Sequence, residues 1–133
     1  MILAMRIAIL LMVGLGLVSA AYPQAPSVSD TLALYASLGP ELTHYELDAV
    51  AATLTKRSSV PLPQAVQYAW PHHSRRVLYV AWSEGVDGHD HGVTAFSIES
   101  ASGTLRRHGE PARVPARPIH LTVDVTGTHL LIA

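Results

Sequence analysis

The chain has 133 residues, 49% hydrophobic, 14% charged and 6% aromatic, with 9 Lys+Arg against 10 Asp+Glu and no Cys. This near balance of charge speaks against a nucleic-acid-binding domain, which carries a basic patch, and recurring Val, Ile and Leu at low net charge exclude a disordered chain. Without cysteine there is no disulfide, thiolate metal site or Cys nucleophile.

The first predicted element is a signal peptide at residues 1–20. One cation, Arg6, precedes twelve uncharged and mostly apolar residues, Ile7 to Val18, and the small residues Ser19, Ala20 and Ala21 follow. Twelve helical residues cover about 18 Å of a roughly 30 Å hydrocarbon core, too little for a membrane anchor. The expectation is cleavage after Ala20, a secreted or periplasmic product, and no membrane association afterwards. Residues 21–31, with Pro23 and Pro26 among small polar residues, read as a linker.

From residue 32 to 133 the hydrophobic pattern has a period of two. Predicted strands run over Leu32–Leu38, Leu42–Leu47, Thr53–Val60, Ala65–Trp70, Val77–Trp82, Gly92–Ile98, Thr104–Glu110, Pro118–Val123 and Leu130–Ala133. Pro61, Pro63, Pro71, Pro111, Pro115 and Pro118 would interrupt any helix. The chain also repeats. Leu42–Asp48 lies over Val93–Glu99 and Thr53–Lys56 over Thr104–Arg107 at a shift of 51, and Val77–Ala81 lies over His129–Ala133 at a shift of 52. A period near 50 made of four short strands predicts β-propeller blades, with a β-sandwich as the alternative. The fold class is therefore all-β, a propeller of four-stranded antiparallel blades with about two blades present. Three outer strands at the N-terminal end lack an innermost strand, which ring closure from the other end of a longer chain would supply.

The run Val93-Thr94-Ala95-Phe96-Ser97-Ile98, then Ser102-Gly103-Thr104-Leu105, and above all Arg117-Pro118-Ile119-His120-Leu121-Thr122-Val123-Asp124 with Gly127 and Leu130-Leu131, resembles the lactonase family of seven-bladed propellers. That family includes propeller-type 6-phosphogluconolactonases and carboxy-cis,cis-muconate cyclases. The resemblance covers residues 32–133. It implies hydrolysis or reversible closure of a sugar-acid or related lactone, with a small-molecule substrate and no metal or organic cofactor. It also implies that most of the family's His, acidic and Arg site positions lie in later blades. Seven blades of about 50 residues need roughly 350, so this chain is expected to be an inactive N-terminal portion of a longer parent. The alternatives are a non-catalytic secreted propeller used for binding or as a scaffold, and a muconate-type lactonizing cycloisomerase.

Two site residues stand out. One repeat earlier, His120 is replaced by Tyr68 and Arg117-Pro118 by Ala65-Val66, so the fold itself demands neither side chain. An imidazole at the mouth of the central channel can assist proton transfer, which makes His120 the candidate catalytic residue. Arg117 is the candidate substrate-binding residue, since a guanidinium holds a phosphate or carboxylate by paired hydrogen bonds. Residues three apart in a regular strand point to opposite sides, so the two converge only if the chain around Pro118 is irregular. The loop Glu84–His91 reads as a mobile polar loop, despite metal-type ligands in His89, His91, Asp87 and Asp90, because two Gly leave them without rigid support. His72-His73 reads as a solvated pair on the opposite face, and Arg75-Arg76 and Arg106-Arg107 as strand-edge charges. No Gly-x-Ser-x-Gly nucleophile elbow occurs.

Overall fold

A computed structural model describes residues 31–133. The expected signal peptide, and the expected linker up to Asp30, lie outside the described residues; Thr31 already belongs to the first strand. Ten strands and no helix occur among the described residues. β1 (Thr31–Leu38), β2 (Glu41–Asp48) and β3 (Thr53–Pro61) form one antiparallel sheet. β4 (Ala65–Pro71), β5 (Val77–Ser83), β6 (His91–Ile98) and β7 (Leu105–Arg107) form the second in that spatial order, with β8 (Ala112–Arg113) also paired to β6. β9 (Leu121–Val123) and β10 (Leu130–Ile132) begin a third.

The second blade is covered on both faces, and its sequence says why. A strand with one wet face alternates apolar and polar residues, whereas β5 reads Val-Leu-Tyr-Val-Ala-Trp-Ser almost without relief. Its alternate residues Leu78, Val80 and Trp82 pack with Leu42, Leu62, Phe96 and Leu105 toward the first sheet. Ala81, on the other face, packs with Val93 and Leu121, and Tyr68, Tyr79 and Leu130 close around them toward the third sheet. Val80, Ala81 and Trp82 are all fully buried, and full burial of a Val- or Leu-sized side chain contributes about 1.5–3 kcal/mol. The one polar atom of the Trp82 ring donates to the buried Thr94 hydroxyl at 2.9 Å, so the indole sits in the core without an orphaned N–H.

The repeat seen in the sequence is a repeat of register. Tyr45↔Lys56, Glu46↔Thr55 and Leu47↔Leu54 in β2–β3 recur 51 residues later as Phe96↔Arg107, Ser97↔Arg106 and Ile98↔Leu105 in β6–β7. Pro71↔Leu78, Trp70↔Tyr79 and Ala69↔Val80 in β4–β5 recur 52 residues later as Val123↔Leu130, Thr122↔Leu131 and Leu121↔Ile132 in β9–β10. Among the described residues the first blade has three strands and no innermost one, and the edge of β1 from Leu32 to Leu38 has no strand partner.

Two predicted strands are shorter than expected. The outer strand of the second blade stops at Arg107 and resumes as β8, because Gly109 takes a φ of +74° and Pro111 has no N–H to give the ladder. The innermost strand of the third blade begins at Leu121 rather than Pro118. Ile119 and His120 nevertheless both donate to the Ala133 carbonyl, at 2.9 and 3.0 Å, so the chain is already docked there. Arg75-Arg76 and Arg106-Arg107 divide: Arg106 and Arg107 lie on the outer strand, whereas Arg75 sits in the β4–β5 turn at a φ of +56°.

Candidate active site

Each blade has two ends. At one end of the second blade Ala65 pairs with Ser83 and the Glu84–Asp90 loop crosses to β6; at the other Pro71 pairs with Leu78 around the β4–β5 turn. The residues from Val114 to His120 run irregularly to the start of β9, on the Glu84 loop's side. Pro118 is fully buried there, while Arg117, Ile119 and His120 are exposed.

Both predicted site residues turn onto the neighbouring innermost strand, β4, and meet it at consecutive positions. Arg117 donates from Nε at 2.9 Å and from Nη2 at 2.6 Å to the Gln67 side-chain oxygen. The His120 ring lies against Tyr68 with centroids 4.5 Å apart and an interplanar angle of 40°. Gln67 can reach out because it is the extra residue of a β-bulge between Val66 and Tyr68. Its own amide donates back to the Ala65 carbonyl at 3.1 Å, which fixes the side chain. Tyr68 also stacks at 6.3 Å on Trp70. The cluster is thus a guanidinium, a carboxamide, an imidazole and a phenol at the start of two adjacent innermost strands. Gln67 and Tyr68 also line a cavity of about 440 Å³ that extends to Tyr35 and Leu42 of the first sheet.

Sequence reasoning proposed His120 and Arg117 and passed over Gln67, whose position beside Arg117 depends on a bulge that no residue type announces. Tyr68 entered only as the counterpart of His120 in the repeat, and the structure makes the two direct neighbours.

The Glu84–Asp90 loop is tied to its blade rather than loose. Glu84 accepts the backbone N–H of His89 at 3.1 Å and of Asp90 at 3.3 Å, and Gln64 donates to Asp90 at 2.9 Å. Arg113 pairs with Asp90 and lies 5.0 Å from the Trp82 ring centroid, joining β8 to the loop. Buried Ser83 and His91 hydrogen-bond at 2.9 Å; Ser83 is also held by the Gly85 N–H and carbonyl, which assigns it to the turn. Among the described residues no three His, Asp or Glu side chains come together as metal ligands.

The His72-His73 pair is not simply solvated. His72 Nε2 lies 3.0 Å from the Gly127 carbonyl and His73 Nε2 2.7 Å from the Asp124 carbonyl, so the pair clasps the next blade's hairpin. That hairpin is built around Asp124, whose carboxyl is held well below the usual range by the Thr126 hydroxyl and then by backbone N–H groups of His129 and Thr128.

The family model for the lactonase seven-bladed β-propeller matches residues 32–133. The chain belongs to the lactonase family. Two solved structures share the fold of this lactonase chain. One is a proposed 6-phosphogluconolactonase from Bacteroides uniformis, 16% identical with a TM-score of 0.62, matched over 78% of this chain and 29% of that one. The other is a proposed 6-phosphogluconolactonase from Bacteroides fragilis, 18% identical with a TM-score of 0.55, matched over 79% of this chain and 32% of that one. The lactonase chain therefore spans about a third of the length of these structures. A comparison with curated proteins finds no match.

Proposed function

We propose that the protein carrying this chain hydrolyses a lactone of the sugar-acid class, of the 6-phosphogluconolactone type. Membership of the lactonase family carries this reading. Water adds to the ring carbonyl, the ring C–O bond breaks, and the leaving alkoxide takes a proton to become a hydroxyl beside a new carboxylate. His120 is assigned to proton transfer, from its exposed position against Tyr68 at the start of β9. Arg117 is assigned to the substrate's anionic group; Gln67 occupies Nε and Nη2 and holds the fork in one orientation.

A second reading is a secreted propeller that binds without catalysis. The capture of two Arg117 donors by Gln67 favours it, since a guanidinium spent on a neighbouring blade is a structural tie.

Acid release from 6-phosphogluconolactone and from simple γ- and δ-lactones, followed with the full-length protein, separates the two. Turnover above spontaneous hydrolysis is expected, with His120→Gln lowering kcat by about 100-fold at an unchanged melting temperature. No rate above background across the panel rejects the enzyme; unchanged turnover in His120→Gln removes that residue from the site.

A further inference from the structure

At the opposite end of the second blade lies a cleft of about 420 Å³ that the reading above does not use. Its walls are Leu32 and Ala33 of β1, His44 and Glu46 of β2, the Ser74–Arg76 turn, and the Glu99–Gly103 turn. Tyr35 fastens one wall to the other by donating its hydroxyl to the Gly103 carbonyl at 2.6 Å.

His44 is the anomaly. It is 2% exposed, yet neither ring nitrogen has a hydrogen-bond partner in the protein. Leaving a buried polar group unpaired is destabilising, and the strand position does not require one. The counterpart of His44 one repeat later is Ala95, so an alanine serves that strand position equally well. Burial holds the imidazole's pKa below its ordinary value, with Glu46 raising it and Arg57 lowering it. The ring is therefore neutral near pH 7, with one N–H to donate and one nitrogen to accept.

Of the cleft's two carboxylates, Glu46 is taken by Arg57, which reaches both of its oxygens, while Glu99 accepts only from the Ser102 hydroxyl at 2.8 Å and keeps its charge. Arg75 and Arg76 form no ion pair among the described residues. Arg75 stands there at a φ of +56°, a conformation that glycine would adopt without strain.

We propose that this cleft binds a small polyhydroxylated organic anion, with Arg75 and Arg76 holding the carboxylate or phosphate and the two ring nitrogens of His44 meeting separate hydroxyls, one as donor and one as acceptor. Hydroxyls match the neutral imidazole because each can donate or accept as a given ring nitrogen needs, and an anion matches two guanidiniums that outnumber the one carboxylate, Glu99, left without a cation. The site is separate from His120 and Arg117, and its existence does not depend on lactone hydrolysis.

The test follows the His44 ring by NMR in the full-length protein with 15N-labelled histidine, its signals identified by their loss in His44→Phe. Gluconate, which carries both groups, is titrated beside acetate, which lacks hydroxyls, and sorbitol, which lacks charge. A saturable shift of the His44 signals is expected with gluconate, at least about tenfold tighter than with either control. The exposed double variant Arg75→Ser/Arg76→Ser is expected to weaken gluconate binding by about tenfold or more while leaving lactone turnover unchanged. No saturable shift with gluconate overturns the proposal, as does equal binding of acetate or sorbitol, or undiminished binding in the double variant. A protein without lactonase activity that still binds gluconate at His44 rejects the proposed function and supports this site.

Discussion

At Gly92 the β6 backbone runs between the Trp82 indole and the Ala112 carbonyl of β8. A Cβ there would lie 2.6 Å from that carbonyl oxygen and 2.7 Å from Trp82 Cη2. Neither neighbour can retreat cheaply: Trp82 is wholly buried with its N–H bonded to Thr94, and the Ala112 backbone is paired to Val93. Gly92→Ala is therefore expected to cost about 1–3 kcal/mol, read as a lowered melting temperature of the full-length protein. An unchanged melting temperature would mean that β8 moves freely. The same scale explains how His44 and His120 can be chosen. Each occupies a repeat position where the other blade carries Ala95 or Tyr68, so backbone and packing do not dictate the imidazole.

At the scale of elements, the two apolar seams between the sheets are supplemented by a few polar side chains that cross from blade to blade. Tyr35 reaches from β1 to the β6–β7 turn, Arg117 and His120 reach back to β4, and His72 and His73 reach forward to the β9–β10 hairpin. The last pair holds only a two-stranded sheet of three-residue strands, which two strands alone stabilise poorly. The double variant His72→Ala/His73→Ala is expected to speed amide exchange at Leu131 and Ala133, whose N–H groups face β9, at least about tenfold, leaving the interior of β5 protected. Equal protection of both elements would show that Leu121 burial alone seats the hairpin. The short hairpin between β1 and β2 is legible in Gly39-Pro40, with Gly39 at a φ of +56°. Its counterpart in the second blade, the Glu84–Asp90 loop, is not legible in the same way, because its order comes from Gln64 and Arg113, distant in sequence.

For the molecule as a whole, β1 and β10 end the described sheets with apolar side chains in water: Leu38 is 87% exposed, Leu32 58% and Leu131 55%. A polypeptide cut down to residues 31–133 presents both edges and is expected to self-associate, as light scattering on a size-exclusion column would record. A monomer that melts cooperatively would contradict this. The sequence by itself determined the all-β class, the 50-residue repeat, most strand positions and the lactonase resemblance, because pleat periodicity and turn residues are local and recur with each blade. It also singled out Arg117 and His120, by comparing equivalent positions within the chain. Only the tertiary structure decided what those side chains touch. The Arg117–Gln67 contact, the His72-His73 clasp and the cleft around His44 each join residues about 30 to 60 apart in sequence, and such meetings are fixed by how one blade packs on the next.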